Sequence, residues 1–240
     1  MATNFNRNIS GRTSSSEMTY DLGLRAHMLK VYNFMGLGLA LTGFISFMIT
    51  QTPSLIEAFY TNSLLAFVFM LLPFGLVMYL QFKIKDMSLQ MAQTMFWLYA
   101  ALMGLALTPV FLVYTGTSIA RVFFITAGTF GSMSLYGYTT KRDLTGFGSF
   151  LTMGLWGIII AMVVNIFLQS SALQFAVSVI GVLIFTGLTA YDTQVIKEIY
   201  TNSDTQDIAG KKAIMGALRL YLDFVNLFVM LLQLFGDHRK

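Results

Sequence analysis

The 240-residue chain contains no cysteine, which excludes disulfides and thiolate metal sites and leaves the redox compartment open. Charge is scarce as well. Only 11% of residues are Asp, Glu, Lys or Arg, less than half of the roughly 25% usual in soluble proteins. There are two histidines, His27 and His238, near opposite ends of the sequence, a spacing that argues against a histidine metal centre. No glycine-rich phosphate loop follows a strand, and no internal repeat of the kind found in many secondary transporters is evident. The net charge of +4 is carried by basic residues grouped in short loops, the pattern of an orientation signal rather than of a nucleic-acid-binding surface.

What fills the chain instead is apolar sequence. Hydrophobic residues make up 56% of it and the mean hydropathy is +0.69, so the expectation is an integral membrane protein with the lipid bilayer as its solvent. Seven apolar runs are each close to the ~20 residues that cross a bilayer as helix: Val31 to Thr50, Leu64 to Phe82, Met95 to Tyr114, Ile119 to Tyr138, Phe147 to Leu168, Leu173 to Tyr191 and Ala213 to Phe235. None alternates as a barrel strand does, and backbone groups in lipid must be satisfied within the segment, so the fold class is all-α. Three parts follow. Residues 1–30 read as a polar, flexible, uncleaved cytoplasmic tail, 31–236 as a seven-helix transmembrane domain and 237–240 as a short C-terminal tail. Small residues four apart, such as Gly104 and Thr108, imply close helix contacts. Pro73 and Pro109 fall inside spans, where they can kink a helix.

Eleven of the fifteen Lys and Arg residues lie in the amino-terminal tail and the even-numbered loops. This puts the N-terminus in the cytoplasm. Seven crossings then put the C-terminus outside, although the chain ends His238-Arg239-Lys240, against the positive-inside tendency. A last segment that re-enters the membrane and returns is the alternative.

Within this apolar sequence two aspartates stand out. No charged residue occurs from Leu144 to Tyr191, where Asp192 follows, and Asp223 lies close to the middle of the last run. An ionised carboxylate at such depth costs at least ~2.5 kcal/mol on insertion scales, so it is retained only if paired, hydrated or protonated. The sixth helix can continue past Tyr191 to the breaker cluster that begins at Thr201. Asp192 is nine residues before Thr201 and Asp223 eleven after Lys212, so an antiparallel helix pair places both carboxylates at similar depth. Two carboxylates in a low-dielectric site titrate as a unit, an arrangement suited to proton sensing or to binding a cation. The bland alternative is two unrelated contacts, with Arg219, one turn before Asp223, forming an intrahelical ion pair. Lys83 ends the second span level with Asp192 and is a candidate latch, or it snorkels to the surface. Arg121 is the only charged residue from Met87 to Thr140 and faces either a cavity or the outer interface.

The segments FTGLTAYDTQ (Phe185 to Gln194), LRLYLDFVNLF (Leu218 to Phe228), SIARVFF (Ser118 to Phe124) and GYTTKRDLTGFGSFL (Gly137 to Leu151) resemble the transmembrane Bax inhibitor motif family, the Bax inhibitor-1 group, in its bacterial members. The resemblance runs from about Asp21 to the end of the chain. It implies seven helices with the last one central and surrounded by the other six, a bacterial inner membrane location, and a pH-sensitive calcium leak. By resemblance Asp192 and Asp223 correspond to the paired aspartates regarded as pH sensor and ion site. Lys83 holds the latch position in which many relatives carry Arg; its ammonium cannot form the bidentate fork of a guanidinium.

Four functions compete. The first is a pH-gated calcium or cation leak, needing no cofactor and no enzymatic activity, with calcium or protons as its ligands. The second is an intramembrane aspartyl protease, which Tyr191-Asp192 echoes but for which Tyr221-Leu222-Asp223 lacks the expected glycine approach. The third is a regulatory membrane protein that modulates a protease, a channel or a stress or cell-death pathway by helix contacts with a membrane-protein partner, without flux of its own. Proton-coupled transport is the fourth, discouraged by the absence of an evident substrate pocket.

Overall fold

In a computed structural model, the backbone of residues 3–61 and 63–239 is described, with side chains from residue 18 onward except at 60, 62, 63 and 240. Eight helices follow one another: α1 (Thr3–Thr50), α2 (Pro53–Tyr60), α3 (Ser63–Lys83), α4 (Leu89–Val113), α5 (Gly116–Thr139), α6 (Thr145–Leu168), α7 (Ser171–Glu198) and α8 (Gln206–Phe235). Among the described residues, seven of them are long and apolar enough to cross a membrane, all except α2. The helix starts are chemically marked. Ser88, Thr115, Ser170 and Thr205 each accept a hydrogen bond from the backbone N–H three residues on, satisfying donors that the first helical turn leaves free. The sharp α6–α7 turn is made by Gln169 in the left-handed region (φ 49°), with Asn165 Oδ1 accepting from Ser170 N at 3.0 Å.

The last helix is the axis of the bundle. In its most apolar window 72% of α8 is buried, against 11% for α6. It packs on α1, α4, α5 and α7, while α3 and α6 buttress the outside by packing on α4 and α7. Four helices therefore form the layer around α8 and two stand behind it. Leu220, Tyr221 and Leu227 of α8 are completely buried. By contrast α6 presents Trp156, Ile160 and Phe167 outward, as lipid solvation allows. Close approach is required at Gly104, where a Cβ would come within 2.8 Å of Ile45 Cβ and 2.9 Å of the Thr42 carbonyl. Pro73 and Pro109 lie inside helices that continue through them.

Two boundaries differ from the sequence reading. The break expected at residue 30 has no counterpart in the described side chains: α1 is helical on both sides of it, and Leu24, His27, Met28 and Val31 are buried. Their three- and four-residue spacing puts them on one face of the helix, where His27 meets the Tyr200 ring at 5.5 Å. The part of the expected tail before Met18 lies outside the described side chains. The first connection holds the short helix α2. The short C-terminal tail is docked: Thr115 N donates to Asp237 O at 3.0 Å and Arg239 N to Val113 O at 2.8 Å. That docking puts the end of the chain beside the α4–α5 turn. Because α8 is one uninterrupted helix, it does not turn back on itself as the re-entrant alternative requires.

The two ends of the bundle differ in charge. At one end Lys211 reaches the Lys85 carbonyl at 3.4 Å, Asp207 accepts from Leu89 N at 3.1 Å, Lys197 donates to Tyr138 O at 2.9 Å and Lys212 pairs with Asp204 at 2.6 Å. The helix ends that flank the α7–α8 loop are thus tied to the α3–α4 connection and to the end of α5. At the other end the α4–α5 turn and the docked C-terminal segment meet.

Candidate functional site

Asp192 of α7 and Asp223 of α8 lie beside each other in the packed α7–α8 pair, close enough for their charges to interact. The antiparallel pairing of α7 and α8 brings this about. α7 continues helical past Tyr191 to Glu198, and α8 begins at Gln206, so the loop arithmetic puts the two positions at one level. Asp223 is only 4% exposed, and its Oδ2 is buried with no hydrogen-bond partner among the described residues. Such a group carries a desolvation cost that a proton or a cation would relieve.

Asp192 is better provided for. Its Oδ1 accepts from Arg219 Nη1 at 3.2 Å, and its side chain is 15% exposed against 49% for Arg219. Arg219 thus bridges to the neighbouring helix. Lys83, placed by the sequence at the same level, lies elsewhere: it pairs with Asp86 at 3.7 Å on an exposed surface, on a helix that packs mainly on α4. Arg121 is at the far end of the bundle, donating to Asp237 at 3.1 Å and to the Phe235 carbonyl at 2.9 Å. It anchors the docked C-terminal segment and takes no part in the carboxylate site.

Several polar groups surround the site, and of these the sequence points only to Thr193, as a hydroxyl near the carboxylates. Thr193, next to Asp192, is fully buried. Its hydroxyl donates to the Thr189 carbonyl at 2.7 Å and meets Ser134 Oγ at 2.9 Å; Ser134 in turn meets the Tyr32 hydroxyl at 2.6 Å. This chain of hydroxyls links α7, α5 and α1. On the other side of α8, the Tyr221 hydroxyl meets Thr42 Oγ1 at 2.6 Å, and Thr42 donates to the Ala100 carbonyl at 2.8 Å. Gln194 spans the α5–α6 connection, accepting from Leu144 N and donating to the Arg142 carbonyl, both at 2.8 Å. The helix positions around Asp192 are fixed tightly, since a Cβ on Gly137 of α5 would collide with the backbone of Ala190.

Among the described residues no three His, Cys, Asp or Glu side chains gather. A divalent ion at the pair would therefore have two carboxylates from the chain and would complete its usual six to eight oxygens with hydroxyls, carbonyls or water. His27 and His238 lie at opposite ends, against Tyr200 and Tyr114 respectively. Chemically, the site can hold a proton between two carboxylates, exchange it for a cation, and couple either event to the Arg219 tie between α7 and α8.

Comparison with known proteins places this arrangement in context. The profile of a family described as "Inhibitor of apoptosis-promoting Bax1" matches residues 24–240. The chain is 48% identical over 219 residues to the inner membrane protein YbhL of Escherichia coli K12, covering 90% of this chain and 94% of that one. An uncharacterized protein of Rickettsia prowazekii is 47% identical over 227 residues, covering 95% and 96% of the two chains. An uncharacterized membrane protein of Streptococcus pyogenes is 33% identical over 218 residues, covering 90% and 94%.

Proposed function

The chain belongs to the Bax inhibitor family of integral membrane proteins, and from that premise we propose that it is a pH-sensitive leak for calcium or a similar cation, gated by protonation of the Asp192–Asp223 pair. The observation that carries this reading is the buried, unpartnered Oδ2 of Asp223 beside a second carboxylate that Arg219 holds from the other side. With one shared proton, the two carboxylates and the guanidinium sum to zero charge; without it they carry one net negative charge in a low-dielectric setting, which a cation offsets. The Arg219 tie joins the two helices that would have to shift, so a change in the pair's charge is felt as a change in how firmly α7 and α8 are held together.

On this reading the protein is not an enzyme and uses no cofactor; its ligands are the permeant ion and protons. The name of the Escherichia coli relative supports a bacterial inner membrane location, and the lysines gathered at the α7–α8 loop end support a cytoplasmic placement for that end and for the N-terminus. The test is calcium flux against pH in proteoliposomes for the wild type, Asp192→Asn and Asp223→Asn. Loss of pH dependence in the variants is expected. Unchanged pH dependence in both overturns the assignment.

A further inference from the structure

A second site lies away from the aspartates, toward the end of the bundle where the C-terminal segment docks. Helices α1 and α5 are joined by the Tyr32–Ser134 hydrogen bond at 2.6 Å, but farther along they stand apart as the two walls of a cavity of about 380 Å³, within the ~300–1,000 Å³ of ordinary ligand pockets. Its floor is α8, through Phe224 and Phe228, and its walls include Phe47 of α1 and Phe123 of α5. Phe47 and Phe124 are 49% and 73% exposed at the outer surface of the bundle, so the cavity opens sideways, toward lipid, rather than into an aqueous pore.

Depth and charge identify the occupant. The α1 wall runs from Leu39 to Thr50, eleven helical steps or about 17 Å, a little over half of the ~30 Å hydrocarbon core. Among the described lining residues the single charged one is Arg239, on the segment that closes the end of the bundle. An apolar slot one leaflet deep with a guanidinium at its mouth matches an acyl chain beneath an anionic headgroup. We propose that this groove seats an acyl chain of an anionic bilayer phospholipid, with Arg239 taking the phosphate. The site is independent of the carboxylate pair and stands whether or not that pair conducts.

The experiment uses the full chain in nanodiscs containing either phosphatidylglycerol or phosphatidylcholine with the same photoactivatable acyl chain, and cross-linked residues are mapped by mass spectrometry. Cross-links on the α1, α5 and α8 groove residues are expected to exceed those around Trp156 on the outward face of α6 severalfold, and to be stronger for phosphatidylglycerol. Gly43 lines the groove with open space before it, so Gly43→Leu fills the slot and is expected to bring groove labelling down to the α6 level. Arg239→Gln, at an exposed position, is expected to keep the acyl labelling and lose the headgroup preference. Groove labelling no higher than on α6, equal labelling by the two lipids, or labelling undiminished in Gly43→Leu would each overturn the proposal.

Discussion

Arg219 of α8 donates to Asp192 of α7 at 3.2 Å, although Asp223 stands one turn away on Arg219's own helix. The guanidinium therefore ties two helices together instead of pairing within one. Hydrogen bonds to charged groups contribute roughly 1.5–3 kcal/mol, and the half-exposed position of Arg219 moves the expectation to the lower end of that range. Arg219→Ala and Asp192→Ala should each lower stability in chemical unfolding in detergent. The double variant should lose less than the sum of the two, because the second substitution removes a partner already gone. Strict additivity would mean that the ion pair contributes nothing.

Gln194 is expected to matter more than its position in an apolar helix implies. Its side chain satisfies the backbone N–H of Leu144 and the carbonyl of Arg142, and Leu144 is buried. Gln194→Leu leaves that N–H without its acceptor, at a cost of about 1–3 kcal/mol. Thermal unfolding should show the loss. Hydrogen exchange should show faster opening at the start of α6 than elsewhere.

Much of this was legible before any coordinates. The charge-free stretch before Asp192 and the loop arithmetic put the two carboxylates at one depth, because helix rise converts sequence distance into height. Rotation about the helix axis is not given by rise, and here the reading ran out. Spacing puts Arg219 beside Asp223, yet its side chain reaches Asp192 of α7; height puts Lys83 level with the pair, yet it is engaged with Asp86. Ser134 and Tyr32 are not singled out by the sequence for a similar reason, since a hydroxyl in a membrane helix can also be satisfied by a carbonyl of its own helix, as Thr126 is by Val122. The helical packing of α1 before Val31 was hidden by composition: its polar residues look like a tail until the stripe of Leu24, His27 and Met28 finds Tyr200 and the α7–α8 loop.

Gly137 fixes the spacing of α5 and α7 beside Asp192. A Cβ there would strike the Ala190 backbone, which cannot yield as a flexible side chain does, so Gly137→Ala should destabilise by about 1–3 kcal/mol, the usual cost of overpacking. Gly128→Ala on the same helix is the control, because open space lies before it. The control should be neutral or slightly stabilising, as expected for alanine replacing glycine in a helix. Equal melting temperatures for the two variants would contradict the close α5–α7 contact.

At the start of α6 the Asp143 carboxylate accepts from Thr145 N at 2.8 Å, and the hydrogen bonds from the Thr145 side chain and backbone hold its carboxyl below the usual carboxylate range. A folded-state value below the unfolded one means that the stabilisation is present at neutral pH and is lost as pH falls through the folded value. Wild type should therefore unfold at a higher temperature than Asp143→Ala near pH 7, with the difference shrinking once pH drops below about 3.9, the ordinary aspartate value. A difference that does not change with pH would show that the Asp143–Thr145 hydrogen bond acts without the charge.

The sharpest distinction concerns which cation answers to the carboxylate pair. Lys83 is exposed and engaged with Asp86, so Lys83→Gln should leave both the size and the pH profile of calcium flux in proteoliposomes as in wild type. Arg219→Gln removes the only cationic group that contacts either aspartate among the described residues. It leaves the pair one positive charge poorer at every pH, so the profile should move and basal flux should change by severalfold. Arg219→Lys separates charge from geometry: an ammonium restores the charge without the planar fork, and is expected to recover the profile in part while leaving the α7–α8 tie weaker. If instead Lys83→Gln shifts the profile and Arg219→Gln does not, then in the conducting protein α3 must approach α7 far more closely than the arrangement described here, and the latch belongs to Lys83.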